Sequence, residues 1–248
     1  MTETERDFTM QQTDRHMACH TTPRLRMLLD VLAGARTVAD IGCDHAYLPI
    51  LLAREGRAAH IIAADVRAGP LRRAQENIAR FGLTDRIETR LGDGLSPLTP
   101  GEAEAIAIAG MGGTVICQIL QQGEAVARAA ELLVLQPMSA APDLRRFLYQ
   151  NGYRLLRERL VQEDARIYTA LIAQNGEPQH FTELDCYISP ALRAERPPLF
   201  SAYAEKLYTQ LRTAISGMRR AQRPHARLEE YEMLLKELEQ WIEGKDIG

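Results

Sequence analysis

Between about Thr22 and Asn175 the chain alternates short apolar runs with amphipathic stretches, an alternation that predicts βαβ units around a parallel sheet. Strands are expected at TVADIG (37–42), HIIAADV (60–66), RIETRL (86–91), EAIAIAG (104–110), ELLVLQP (131–137), YRLLRERLV (153–161) and RIYTALIA (166–173). Helical spacing predicts the connections: Leu48, Leu51 and Leu52 in the first, Leu71, Ala74, Ile78 and Phe81 in the second, then Val115, Ile116, Ile119 and Leu120, and finally Leu144, Phe147 and Leu148. A further helix, PRLRMLLDVLAG (23–34), precedes the first strand, with Pro23 and Gly34 at the ends where those residues favour a start and a stop. Only Gln162 to Ala165 separate the last two strands, too few residues for a crossover helix, so these strands are expected to pair as an antiparallel hairpin.

After NGEPQ (175–179) the period lengthens. Leu207, Leu211, Ala214 and Met218 form one helical seam and Leu228, Tyr231, Leu235, Leu238 and Ile242 another, with Pro224 breaking any continuous helix between them. The expected product is a coiled-coil-like antiparallel hairpin. The chain thus divides into a flexible N-terminal extension (1–21), an α/β domain (22–176) and a helical domain (177–248).

Charge adds a polarity to the tail. The whole chain carries −3, yet residues 189–227 hold eight basic side chains against two acids, and residues 228–248 hold seven acids against two lysines. An apolar share of 46% and a charged share of 25% fit a soluble globular protein, and no run approaches the roughly 20 apolar residues of a membrane span. The polar start MTETERDFTMQQTDRH has no signal-peptide core, which predicts a cytoplasmic protein. Cys19, Cys43, Cys117 and Cys186 are scattered, and His16, His20, His60, His180 and His225 have no ligand spacing, so neither disulfides nor a metal are expected.

In an open parallel sheet the ligand lies beyond the carboxyl ends of the strands. The first strand delivers Asp40 and Gly42, followed by Cys43, Asp44, His45 and Ala46. The second delivers Asp65 and Val66, about 20 residues on, where a carboxylate suits ribose hydroxyls. The third delivers Asp93 between Gly92 and Gly94, a carboxylate that can approach an adenine closely, and the fourth delivers AGMGG (109–113), an open turn with Gly110 and Met111. Any one of these acids alone reads as an ordinary turn residue, and Cys43 as a small packing residue. Together they recur after four successive strands.

A dinucleotide needs bare glycines so that pyrophosphate can rest on backbone amides. Here the second and third glycine places are Asp44 and Ala46. A carboxylate there repels pyrophosphate and suits a cationic sulfonium cofactor, which disfavours a nicotinamide dehydrogenase. A sheet that is parallel until a terminal hairpin is also the plan of methyltransferases that use S-adenosylmethionine.

ADIGCDHAYLPI (39–50), GPL-x-x-A-x-x-N (69–77), RLGDGL (90–95), IAGMGG (108–113), LQPM (135–138) and LVQEDARIY (160–168) together resemble the TrmK family of bacterial tRNA (adenine-22-N1)-methyltransferases. The resemblance spans about Arg24 to Ile172 and extends more weakly into the tail through ISPALRAERPPLF. It implies a Rossmann-like class I methyltransferase, methyl transfer from S-adenosyl-L-methionine to N1 of an adenine in the D-arm region of tRNA, and a cofactor contact for Arg24. The residues then divide into a cofactor set (Arg24, Asp40, Gly42, Cys43, Asp65, Val66, Gly92, Asp93, Gly94, Gly110 and Met111) and a catalytic pair, Asp44 and His45. AGMGG lacks the Asn/Asp-Pro-Pro-aromatic acceptor of exocyclic-amine methylation, consistent with attack by a ring nitrogen. The alternative roles are a helix cap for His45 and core packing for Tyr47. Alternative functions are methylation of a protein or small molecule, and a non-catalytic cofactor- or RNA-binding module. The partner is expected to be tRNA and the protein a monomer, with the basic arm on phosphates or masked by the acidic one.

Overall fold

The computed structural model describes residues 21–220 and 227–242. Cys19, His16, His20, Arg223, Pro224, His225 and the extension before Thr21 lie outside the described residues. The first helix, α1 (Pro23–Leu32), starts where Thr22 accepts a hydrogen bond from the Leu25 amide. Then follow β1 (Thr37–Ile41), α2 (Tyr47–Arg54), β2 (His60–Asp65), α3 (Ala68–Arg80), β3 (Ile87–Leu91) and β4 (Ala105–Gly112). Helices α4 (Gly113–Gln122) and α5 (Glu124–Ala129) lead to β5 (Leu132–Ser139), α6 (Ala141–Gln150), β6 (Tyr153–Glu163) and β7 (Arg166–Asn175). Helix α5 was not foreseen from the spacing. The tail holds α7 (Glu183–Tyr187), α8 (Pro190–Glu195), α9 (Phe200–Arg220) and α10 (Leu228–Ile242).

All seven expected strands form one sheet in the order β3-β2-β1-β4-β5-β7-β6, parallel except where β7 runs against both β5 and β6. The runs of β1, β2, β4 and β5 are buried almost throughout because helices cover both faces. One core packs α1, α2 and α3 against the sheet, including Leu29, Ile50 and Ala74, and the other packs α4, α5 and α6, including Ile116, Leu120 and Leu148. AGMGG is not a turn after β4. Gly110 and Met111 extend that strand to Gly112 with a register irregularity, and α4 begins at Gly113.

A third core joins the tail elements and reaches β6 through Leu160. Tyr208 donates to Glu239 and Arg219 pairs with Glu232, so α9 and α10 run antiparallel. The seam differs from the heptad reading: Ile215 is buried in place of Ala214, and Leu234 in place of Leu235. A straight helix advances 3.6 residues per turn, so its apolar stripe drifts from a 3.5-residue pattern over three turns.

The deepest polar contact joins tail and sheet. Arg145 on α6 and Glu158 on β6 are fully buried and form two hydrogen bonds of 2.8 Å, Nε to Oε1 and Nη2 to Oε2. Arg145 Nη1 donates to the Cys186 carbonyl at 2.9 Å, Nη2 to Tyr203 Oη at 3.2 Å, and Thr169 Oγ1 donates to Glu158 at 3.0 Å. Burial alone would raise the Glu158 carboxyl, but the Arg145 charge and its hydrogen bonds hold it below the usual carboxylate range. Glu158→Leu leaves a buried guanidinium without its counter-charge, so chemical denaturation should show a loss of about 3–5 kcal/mol. A loss below about 1 kcal/mol would show that the pair does not hold the fold.

Candidate active site

At the carboxyl ends of β1–β4 lies a cavity of about 410 Å3. Of the residues expected from sequence, Gly42, Asp44, Asp65, Val66, Gly92, Asp93, Gly94, Gly110 and Met111 line it. Its charged lining consists of three carboxylates, Asp44, Asp65 and Asp93, against one guanidinium, Arg67. A larger hollow of about 1040 Å3 lies elsewhere, between α1 and β6, and contains none of the acid–glycine loops.

The β1–α2 loop keeps the backbone of a glycine loop without its glycines. Gly42 has φ +78°, Asp44 +43° and Ala46 +58°, all left-handed. Aspartate visits this region more readily than most residues, whereas alanine is strained there, and Ala46 is held by its burial in the core. Asp65 fixes the loop by accepting from the Asp44 amide at 3.4 Å and from the Arg67 amide at 2.8 Å. Asn77, the last residue of the GPL motif, donates to the His45 carbonyl at 3.1 Å. Helix α2 is preceded by Ala46 as its N-cap residue, with no side-chain cap bond, so His45 does not cap it. The His45 ring instead stacks on Tyr47 at 5.5 Å and its Nε2 lies 3.7 Å from Asp44 Oδ2. Arg73 lies 3.5 Å from the other Asp44 oxygen. Tyr47 is half-buried and packs on the core as well as on the His45 ring.

The glycines serve the protein's own packing. A Cβ on Gly42 would meet Met111 Cε at 2.2 Å, one on Gly92 would meet Pro97 at 2.8 Å, and one on Gly113 would meet the Ala140 carbonyl oxygen at 2.3 Å. The bare sides of Gly92 and Gly94 face Pro97 and Ile119, and both glycines flank Asp93 on the cavity lining. Gln136 holds the irregular end of β4 by accepting from the Gly110 amide at 3.1 Å, while its amide nitrogen donates to the Pro137 carbonyl at 3.0 Å.

Three members of the cofactor set do not line the cavity. Cys43 is 7% exposed and packed in the core, and burial followed by the charges of Asp40 and Asp65 pushes its thiol well above the ordinary range. Asp40 is buried near Asp65; desolvation, then that neighbouring charge, raises its carboxyl to about 7. Arg24 is tied to Glu163 by a 2.9 Å hydrogen bond, donates to Met138 Sδ at 3.1 Å and lies 4.5 Å above the Tyr168 ring. It clamps α1 to the β6–β7 hairpin. The residues missed are Ile41, Arg67 and those of α4, where Val115, Gln118, Ile119 and Gln122 form one cavity wall. Uncharged Gln118 and Gln122, spaced with Val115 and Ile119 on one helix face, were the available signal. Among the described residues no group of three or more His, Cys, Asp or Glu could hold a metal, and no helix is long and apolar enough to cross a membrane.

Residues 21–171 match the family model for a methyltransferase domain. The tRNA (adenine(22)-N(1))-methyltransferase of Bacillus subtilis is 38% identical over 154 residues, covering 62% of this chain. The match spans 65% of that relative's length, just under two-thirds. The crystal structure of the B. subtilis m1A22 tRNA methyltransferase TrmK superposes with TM-score 0.73 at 31% identity, covering 90% of this chain and 96% of that one. The chain belongs to the TrmK family of methyltransferases. A Streptococcus pneumoniae structure in complex with S-adenosyl-L-methionine shares the fold of this TrmK chain at TM-score 0.76 and 30% identity, covering 87% of this chain and 97% of that one.

Asp40 gives the TrmK fold a testable pH signature. Its folded-state value, near 7, lies above the ordinary 3.8, so the folded state holds the extra proton and stability falls as pH rises from about 4 to about 7. Asp40→Asn should remove up to about 4 kcal/mol of that decline, read from denaturation midpoints across the window. An unchanged pH profile would show that Asp40 is ionised throughout.

Proposed function

We propose that this protein transfers a methyl group from S-adenosyl-L-methionine to N1 of an adenine in tRNA, at position 22 of the D-arm region, acting as a cytoplasmic monomer. The observation that carries the reading is the cavity of about 410 Å3 at the strand ends, lined by three carboxylates and one guanidinium, in a chain of the TrmK family. Its volume falls within the roughly 300–1,000 Å3 of small-molecule sites, and its charge suits a guest with ammonium and sulfonium groups. S-adenosylmethionine, when bound, supplies an electrophilic methyl group on sulfur.

The chain's residues take these roles. Asp65 receives the ribose hydroxyls and Asp93 the adenine amine. Val66, 57% exposed despite its apolar side chain, and Ile119 offer apolar surface to the cofactor's ring. Asp40, buried beneath the loop with its carboxyl raised to about 7, ionises more readily once a cationic guest enters, and Gly42, Gly110 and Met111 shape the wall. Cys43, Gly92 and Gly94 contribute by supporting the loops, and Arg24 by bracing α1 on the β6–β7 hairpin. Adenine N1 already carries a lone pair, so rate comes mainly from holding it in line with the methyl group. Asp44 neutralises the charge that develops on the ring and takes the proton released from its amine, and His45 orients that carboxylate.

Residues 22–176 form the catalytic domain and 177–248 the tRNA-contacting one. Several basic residues of the tail are occupied: Arg193 pairs with Asp185, Arg219 with Glu232 and Arg227 with Glu230, while Arg196 lies over Trp241 and Arg212 over Tyr208. Deleting residues 178–248 would remove the Cys186 and Tyr203 partners of buried Arg145 along with any RNA contact, so point substitution is the cleaner probe.

Nucleoside mass analysis of unmodified tRNA incubated with protein and cofactor should show 1-methyladenosine as the product. Methylation of only protein or small-molecule substrates would replace this reading with its alternative. Asp44→Ala should lower kcat by about 100-fold with near-normal affinity for cofactor, in the range of general acid–base contributions. Full turnover by that variant would remove Asp44 from the mechanism.

A further inference from the structure

A second cleft, of about 400 Å3, lies between the end of β5, strand β7 and helix α9. Met111 of the first cavity pairs in register with Pro137 of this one, so the two share a wall. The lining differs sharply from that of the acidic cavity: Lys206 and Arg166 are its charged residues and no carboxylate faces it. Both cations are exposed, with no ion-pair partner among the described residues. In a chain whose net charge is −3, and whose other tail arginines are largely paired or stacked, this is an unneutralised pair.

The same cleft carries surface suited to a flat ring. Tyr168 is half-buried, with one face engaged by Arg24 at 4.5 Å, and Met138 is 40% exposed beside Pro137. Arg24 is immobilised by Glu163, so the ring it covers is held in a fixed plane. An aromatic plane with an arginine stacked on it, two free cations and no acid is the chemistry by which proteins bind a single-stranded nucleotide: ring on ring, phosphate on cation.

We propose that this cleft is a subsite for a nucleotide flanking the target adenine, its base against Tyr168 and Met138 and its phosphate on Lys206 and Arg166. The inference rests on the tRNA reading of the neighbouring cavity and deepens it. Extruding one base from its stack exposes its neighbour, and a shelf beside the catalytic cavity receives the exposed face. Lys206 is contributed by α9 and Arg166 by the β6–β7 hairpin, so the subsite forms only with the tail docked on the sheet.

The experiment uses full-length protein, unmodified tRNA, and D-arm hairpins carrying an abasic residue on either side of the target. Lys206→Glu with Arg166→Glu should raise KM for tRNA at least about tenfold and lower the slope of log KM against log salt by about one to two, with KM for cofactor and thermal midpoint unchanged. An abasic neighbour on one side should weaken the wild-type interaction about tenfold but leave Tyr168→Leu unaffected, because the stack is already gone. Unchanged tRNA KM and salt slope in the charge variant, or equal abasic penalties in wild type and Tyr168→Leu, would overturn the subsite while leaving methylation intact. Wild-type protein that leaves tRNA unmethylated would overturn both the subsite and the function beneath it.

Discussion

The architecture depends on a charge that cannot be buried by either half of the molecule alone. Arg145 presents its donors to Glu158, to the Cys186 carbonyl and to Tyr203, and the last two belong to the tail. A guanidinium removed from water without those acceptors would leave donors unsatisfied at a cost of about 1–3 kcal/mol or more. Sheet and tail therefore gain by docking together. Tyr203 completes the link by donating to the Tyr187 carbonyl, so the start of α9 is fixed relative to α7 and α6. The basic cleft beside β7 exists because of this anchoring.

That central pair was hard to find in the sequence for a specific physical reason. Along YRLLRERLV an unbroken two-residue alternation cannot say which polar side chain turns inward. The register shifts between Leu155 and Arg157, leaving Leu156 exposed and Glu158 buried. A bulge inserts one residue and exchanges the two faces of everything beyond it. Arg145 was equally hidden, as a polar residue beside the apolar Leu144, Phe147 and Leu148 of an amphipathic helix. The seven strands were legible because four of them are nearly continuous apolar runs, which remain visible whatever their register.

The candidate site was legible to the extent that its chemistry lies next to strand ends. Asp65 ends β2, and Asp44 and Asp93 follow β1 and β3 within three residues, so the topology brings them together without any long-range inference. The α4 wall was less legible because Val115 and Ile119 have the same spacing as ordinary core positions. Arg24 was legible only through family likeness, because its Glu163 partner lies 139 residues away and no local pattern announces that pairing.

The β1–α2 loop explains how a methyltransferase site can depart from a glycine loop without changing its path. The turn imposes left-handed backbone at positions 42, 44 and 46, and only the first is glycine. At position 44 the side chain that tolerates this backbone is also an acid, so conformation and charge are met by one residue. At position 46 the alanine methyl is buried at 0% exposure, offsetting its strain by apolar contact. Asp65 then reads the turn directly, since its two oxygens take the amides of Asp44 and Arg67. A bound phosphate would have to compete with that carboxylate for the same amides and would meet Asp44 beside it. The hydrogen bonds that hold the loop thus leave no free amide nest for a phosphate, and the cations Lys206 and Arg166 lie across the Met111–Pro137 wall.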